Sequence, residues 1–129
     1  DAVYLEDLCP KLKFRQWRQS IHKFTKESCI YCGGKSESID HIIPRSKGGL
    51  STTENCIPAC LSCNGDKSNN EAFYWYRGKK FYDPRRAMAL RAWMDGDIRL
   101  AIRLLQWANP QTENTTKNFN DKIIEYKAA

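Results

Sequence analysis

The sequence predicts an α+β fold in which a small ββα core, closed by a four-cysteine metal site, carries helices on both sides. Two Cys-x-x-Cys pairs, Cys29 with Cys32 and Cys60 with Cys63, bracket two short segments that have the character of strands. Segments with helical periodicity lie before and after them. At 129 residues the chain supports one compact domain with a modest hydrophobic core, which a bound metal commonly supplements.

The first elements are one helix and two strands. A helix is predicted from Leu12 to Phe24, because its apolar residues recur on one side. Ser38 to Ile43 is rich in Ile and is predicted to form a strand that Pro44 ends, with a Gly-rich loop after it. Glu54 to Ala59 is predicted to form the second strand.

Further helices are predicted after the second strand. One begins after Cys60. The next begins at Asp83-Pro84 and reaches Met94, because Asp accepts from the free amides of a first turn and Pro has no amide hydrogen there. A Gly-containing break follows. An amphipathic helix from Asp97 to Ala108 then has an apolar surface wide enough to pack centrally or against a second copy of the chain.

The chain is expected to divide into four parts. The core has the two cysteine pairs at its boundaries, and the C-terminal segment is polar enough to form a flexible tail. The parts are an N-terminal helical segment (1–28), the core (29–76), a helical extension (77–108) and the tail (109–129).

The cysteine spacing favours a structural Zn²⁺, one per chain, held by Cys29, Cys32, Cys60 and Cys63. The alternative is a secreted disulfide framework, which the repeated spacing of the two pairs argues against. The net charge of +6 favours a polyanionic partner. No long apolar stretch is present, so we expect no membrane association and a cytoplasmic, intracellular location. Because the chain begins at Asp1, the sequence leaves open the alternative that a targeting segment has been removed.

The segment between the cysteine pairs carries groups suited to phosphodiester hydrolysis. His41, with an ordinary pKa of about 6.5, can accept a proton at neutral pH. Asp40 and Asn64 offer the oxygen ligands that Mg²⁺ prefers. Because neighbouring strand residues point to opposite faces, Asp40 and His41 can share a cleft only if the strand has a twist or a bulge there, and we therefore predict a kinked strand end.

Together these residues resemble the motif of the HNH endonucleases. The resemblance is carried by Asp40-His41-Ile42-Ile43-Pro44, Gly48-Gly49, Asn55 and Cys60-x-x-Cys63-Asn64-x-x-Lys67. With His41, Asn55 and Asn64 at the naming positions, the chain resembles the His-Asn-Asn variant of the ββα-metal nuclease fold. The spacing is similar to that of the HNH domains of CRISPR effector nucleases, which favours DNA as the substrate.

The resemblance implies a metal-dependent endonuclease that nicks or cuts double-stranded DNA. His41 would be the general base, and Asp40 and Asn64 would hold one catalytic Mg²⁺ or Mn²⁺. Asn55 would brace the loop between the strands and orient His41. The alternative is a zinc-stabilised DNA-binding module that does not cleave, which would share the cysteines and the basic surface.

Basic residues near the motif and on the first helix are the expected DNA contacts. They are Arg45, Lys47, Lys67, Arg15 and Arg18. Lys67 lies one helical turn beyond Asn64, where we expect an exposed side chain that can reach a phosphate. A homodimer through the C-terminal helices would bring two sites to opposite strands.

Overall fold

A computed structural model describes residues 2–108, with side chains from residue 11 onward. The predicted tail, 109–129, lies outside the described residues. Within residues 2–108, no helix has both the length and the apolar character that a membrane span needs. The elements are α1 (Ala2–Phe24), β1 (Ser38–His41), β2 (Cys56–Ala59), α2 (Leu61–Lys67), α3 (Ala72–Arg77), α4 (Pro84–Met94) and α5 (Ile98–Ala108). This arrangement confirms the predicted α+β class, with a ββα core between flanking helices.

The two strands form one antiparallel sheet with a continuous register, from Ser38 opposite Ala59 to His41 opposite Cys56. The predicted bulge is wrong, because β1 pairs with β2 without an inserted residue. Side chains therefore alternate as in a regular strand: Asp40 is buried, whereas His41 is only half-buried.

Both strands are shorter than predicted, and Asn55 is the reason. Its main-chain oxygen accepts from the Ile42 amide at 2.9 Å, and its side-chain oxygen accepts from the Ile43 amide at 2.8 Å. The second bond replaces a ladder hydrogen bond with a side-chain bond. Thr53–Asn55 consequently forms a single 3₁₀ turn where the sequence predicts strand.

The flanking helices hold the turn that precedes β2. Ile21 of α1 is fully buried, which confirms the inward face of the predicted helix, although Leu12 at the start of that stretch is 47% exposed. The indole of Trp17 donates to Thr53 Oγ1 at 3.0 Å, and that of Trp93 in α4 donates to the Thr53 carbonyl at 2.6 Å. One helix before the core and one after it thus fix Thr53, two residues before Asn55.

The helix predicted after Cys60 is interrupted. Ser68, which follows α2, has a φ of +48° and a ψ of −124°, a conformation outside the helical region that ends the helix. Glu71 then caps α3, its carboxylate accepting from the amides of Phe73 and Tyr74. The polar residues between the two helices turn the chain so that Trp75 and Tyr76 of α3 reach the core.

The C-terminal helices begin where the sequence predicts. The Asp83 carboxylate accepts from the Arg85 amide at 2.9 Å, as expected of a residue that precedes a helix with Pro84 in its first turn. Gly96, with a φ of +83°, allows the tight turn between α4 and α5. The two helices pack against each other as an antiparallel hairpin.

Candidate metal centre and active site

The four predicted cysteines converge. The Sγ atoms of Cys29, Cys32, Cys60 and Cys63 all lie within 4.8 Å of one another. Two thiolates on a tetrahedral Zn²⁺ are about 3.8 Å apart, given Zn–S bonds of about 2.3 Å. The Cys32 and Cys60 sulfurs are 3.7 Å apart, and none of the five cysteines whose side chains are described forms a disulfide. The cluster is positioned to hold a metal ion and its geometry is consistent with zinc.

Local backbone structure builds each cysteine pair into a turn. In the first pair the Gly33 amide donates to the Cys29 carbonyl at 2.9 Å, and Gly33 adopts a φ of +81° that favours glycine. In the second pair Cys60 precedes α2, and its sulfur accepts from the Cys63 amide at 3.3 Å. A hydrogen bond from Cys63, together with backbone amides, lowers the pKa of Cys29, whereas the same hydrogen bond raises the pKa of Cys63 and burial raises that of Cys32. Without a metal ion the cluster therefore favours one thiolate at Cys29, and a bound cation would be needed to favour the others.

Asp40 lies at the centre of a buried polar network. Its Oδ2 accepts from the Tyr31 hydroxyl at 2.7 Å, and its Oδ1 accepts from Lys67 Nζ at 3.2 Å. Burial raises the pKa of Asp40, while the Lys67 charge and the Tyr31 hydrogen bond oppose that effect. Tyr31 belongs to the first cysteine turn and Lys67 to α2, so Asp40 joins the metal centre to the helix.

The expectation of an exposed Lys67 is wrong. Its side chain is fully buried, and Nζ also donates to the His41 carbonyl at 3.0 Å. A buried ammonium needs a charged partner, and Asp40 provides it. Lys67 therefore cannot contact a DNA phosphate in this conformation. Its hydrogen bonds to Asp40 and to the His41 carbonyl connect α2 to the end of β1.

His41 points away from that network. Its Nε2 shares a hydrogen bond of 3.0 Å with Ser51 Oγ, in which either atom can donate according to the tautomer. Burial lowers the pKa of His41, as do the charges of Arg45 and Lys67, and the Asp40 charge acts in the opposite direction. The lowered pKa keeps the imidazole neutral at pH 7, so it is able to accept a proton.

Asn55 braces the loop between the strands. Besides its bond to the Ile43 amide, its Nδ2 donates to the carbonyls of Ile43 at 3.1 Å and Leu50 at 2.9 Å. Gly49 makes this possible, because a Cβ there would lie 1.7 Å from the Ile43 carbonyl oxygen. These contacts reach His41 only through the backbone of β1, not through its ring.

Asn64 lies on α2 and is directed toward the start of β1. Its Nδ2 donates to Ser38 Oγ at 3.0 Å and to the Ile39 carbonyl at 3.4 Å. The donor types of Asp40 and Asn64 suit a catalytic Mg²⁺, but their positions do not fit one as they stand. Both Asp40 oxygens already have partners in Tyr31 and Lys67.

The remaining predicted DNA contacts are on the surface. Arg45 and Lys47 form the 3₁₀ turn that follows Pro44, close after His41 in the chain, and Arg15 and Arg18 lie on α1. All four side chains are exposed, as binding to a phosphate backbone requires. Their contact with DNA stays a prediction.

The sequence did not predict two hydrogen-bond partners of the candidate site residues, nor that Lys67 is buried. Nothing in the spacing indicates that Tyr31 bonds Asp40 or that Ser51 bonds His41. The burial of Lys67 did have a signal. Cys63 and Lys67 are four residues apart on α2 and share a helix face, and Cys63 must point inward to join the metal centre.

The fold and the site define a ββα domain with a four-cysteine cluster that is positioned to hold a metal ion. Residues 29–70 match the family model described as HNH endonuclease, which confirms the predicted family resemblance over this segment.

Two curated proteins are similar to the chain. The CRISPR-associated endonuclease Cas9 of Corynebacterium diphtheriae is 33% identical over 64 residues, which cover 46% of this chain and 6% of the relative. The SPbeta prophage-derived protein YoqL of Bacillus subtilis (strain 168), whose name provisionally calls it an HNH endonuclease, is 31% identical over 96 residues. That alignment covers 62% of this chain and 40% of the relative, so the chain spans less than half of either protein. No solved structure matches the chain.

Proposed function

We propose that this chain is an endonuclease that hydrolyses phosphodiester bonds of double-stranded DNA, with His41 as the general base. The observation that carries the proposal is the position of His41 in the segment that matches the HNH endonuclease model. It lies half-buried at the end of β1, where Nε2 shares a hydrogen bond with Ser51, and burial lowers its pKa, which favours the neutral imidazole. A base poised in this way can take the proton of an attacking water.

Two metals have different proposed roles. Zn²⁺ on Cys29, Cys32, Cys60 and Cys63 would hold the two cysteine turns together and contribute directly to folding. Mg²⁺ or Mn²⁺ is proposed for catalysis, where a hard cation offsets the charge that develops on phosphate oxygens. Asp40 and Asn64 are its proposed ligands on the resemblance to the HNH motif alone, because in this structure Tyr31 and Lys67 bond both Asp40 oxygens.

A second candidate is a zinc-stabilised DNA-binding module that does not cleave. One observation favours it: the Asp40 carboxylate is saturated by Tyr31 and Lys67, as in a purely structural ion pair. The exposed basic residues would serve either function equally well.

Incubation of supercoiled plasmid with the zinc-loaded protein separates the two candidates. Cleavage by the zinc-loaded protein that requires added Mg²⁺ or Mn²⁺ supports the nuclease. His41→Ala is expected to abolish it, whereas His22→Ala should not. His22 is a matched control, because it is the other histidine of the chain and its pKa is likewise lowered by burial. Plasmid that stays supercoiled in every reaction, with gel-shift binding intact, would refute the nuclease and support the binding module.

For cutting of both strands we propose a twofold dimer through α5. Leu100 and Trp107 on this helix are exposed and offer apolar surface to a second copy. A monomer would only nick. Sedimentation analysis of the protein, set beside the ratio of nicked to linear plasmid, tests the pairing. A monomer that linearises plasmid in a single encounter would contradict it.

A further inference from the structure

Side chains of α3 and α4 hydrogen-bond the first cysteine turn. Its three consecutive main-chain carbonyls, those of Cys29, Ile30 and Tyr31, accept hydrogen bonds from distant residues. Arg86 Nη1 of α4 donates to the first two, at 3.2 Å and 3.4 Å, and the Tyr76 hydroxyl of α3 donates to the third at 2.7 Å. A backbone segment between two metal ligands thus depends on α3 and α4 for its hydrogen bonds.

The Arg86 guanidinium lies directly against this turn. A Cβ on Gly33 would be only 2.6 Å from Arg86 Nη2, so the glycine leaves the space that the guanidinium fills. The Arg86 side chain is 94% buried, since its relative exposure is 6%. This contact therefore requires glycine at position 33 and a long basic side chain at position 86.

Burying a permanent positive charge requires a negative counterpart. The Asp83 carboxylate at the start of α4 is paired with Arg85 at 3.1 Å. Hydrogen bonds from Arg85 lower the pKa of Asp83 and the Arg86 charge adds to that effect, so Asp83 is a negative neighbour that Arg86 shares with Arg85. Four thiolates around one divalent ion carry an excess of two negative charges, and Arg86 bonds the backbone of one of the four ligands.

We propose that Arg86 supports the four-cysteine centre from outside its ligands and raises its affinity for the metal ion. The side chain fixes the backbone of Cys29 and Ile30 in the conformation that aims the first thiolate pair, and its charge offsets that of the metal–thiolate cluster. The proposal rests on a metal in the four-cysteine site and does not depend on nuclease activity. It makes the helical extension part of the metal centre.

The test measures metal affinity in Arg86→Met and Arg86→Lys, with Arg91→Met and Arg91→Lys as matched controls. Arg91 is an exposed arginine on the same helix. Zn²⁺ dissociation constants come from competition with a chromophoric chelator. Loss of a residue that supports metal ligands typically weakens binding by about 10–100-fold, which is the effect expected for Arg86→Met. Arg86→Lys keeps the charge but loses the guanidinium that donates to both carbonyls. Its Zn²⁺ affinity should therefore lie between that of the wild type and that of Arg86→Met. Both Arg91 variants should bind like the wild type.

Substitution of Co²⁺ for Zn²⁺ provides a readout that packing alone would not move. Removal of the Arg86 charge should make the thiolates richer in electrons and shift the sulfur-to-cobalt charge-transfer band of Arg86→Met to longer wavelength. Zn²⁺ affinity of Arg86→Met within about twofold of the wild type would overturn the proposal. If Arg86→Met does not fold, equal Zn²⁺ affinities of Arg86→Lys and Arg91→Lys would overturn it as well.

Discussion

The buried ion pair between Lys67 and Asp40 should be strongly coupled to stability. Lys67 Nζ and Asp40 Oδ1 are 3.2 Å apart, and the two side chains are 0% and 4% exposed. At an effective dielectric constant of about 20, two unit charges at that distance attract by about 5 kcal/mol. Removal of one partner leaves the other charge buried and unpaired, which typically costs about 3–5 kcal/mol. We therefore expect Lys67→Met and Asp40→Asn each to lower the free energy of unfolding by about 3–5 kcal/mol.

The double variant Asp40→Asn/Lys67→Met decides whether the two losses have one cause. If the unpaired charge is the cause, the double variant loses less stability than either single variant, because it contains no unpaired charge. Urea unfolding of the zinc-loaded protein without Mg²⁺, followed by tryptophan fluorescence and by circular dichroism, gives the three free energies. Lys47→Met is the control, because an exposed lysine should change stability by less than about 0.5 kcal/mol.

Additivity would refute this reasoning. If the loss in the double variant equals the sum of the single losses within about 0.5 kcal/mol, the two side chains act independently. Asp40 would then be held by Tyr31 alone, and Lys67 would owe its burial to the packing of its aliphatic stem. Agreement between the fluorescence and circular dichroism transitions is required for the cycle to be valid.

Three other measurements test the site and the metal centre. Because the pKa of His41 is lowered, plasmid cleavage should persist below the ordinary histidine pKa of about 6.5. The Arg45 charge contributes to that lowering, so Arg45→Gln should move the acid limb of the pH–rate profile to higher pH. The control variant Lys47→Gln should leave the acid limb in place. An acid limb that Arg45→Gln leaves unmoved at low salt would contradict the assigned cause. Gly49→Ala should cost at least about 1–3 kcal/mol in urea unfolding, because its Cβ would lie 1.7 Å from a carbonyl oxygen. Gly65→Ala, in a helix with open space around it, should instead stabilise the protein by about 0.5–1 kcal/mol. If Gly65→Ala is less stable than Gly49→Ala, the close approach of Gly49 to the Ile43 carbonyl is refuted. Removal of the metal with a chelator should melt the ββα core, measured as lost ellipticity, and added Zn²⁺ should restore it.

The features that could be predicted from the sequence are those set by local chemistry. The Cys-x-x-Cys turns depend on spacing, and the start of α4 depends on Asp83 followed by Pro84. The resemblance to HNH endonucleases rests on a short contiguous segment. Each of these signals lies within a few residues of chain, so it needs no knowledge of tertiary packing.

The features that could not be predicted depend on partners far apart in the chain. Asp40 forms hydrogen bonds with Tyr31 and with Lys67, which is 27 residues away in the chain. Arg86 donates to the carbonyl of Cys29, from which 57 residues separate it. The missing bulge has the same origin, since the expectation assumed that Asp40 and His41 share one cleft. In the structure Asp40 satisfies its charge on the inner face of the sheet, which removes the need for a distorted strand.

The arrangement of Asp40 makes the metal centre and the candidate base interdependent. Tyr31 lies between two metal ligands and donates to Asp40, while Lys67 bonds both Asp40 and the main-chain carbonyl of His41. Displacement of the first cysteine turn would withdraw Tyr31, leave the Asp40 charge to Lys67 alone and loosen the end of β1 that carries His41. Loss of activity after metal removal is therefore uninformative about catalysis, because folding and base position are disturbed together. Tyr31→Phe separates them, since it retains the ring that packs on Trp75 at 4.9 Å and removes only the hydroxyl that reaches Asp40.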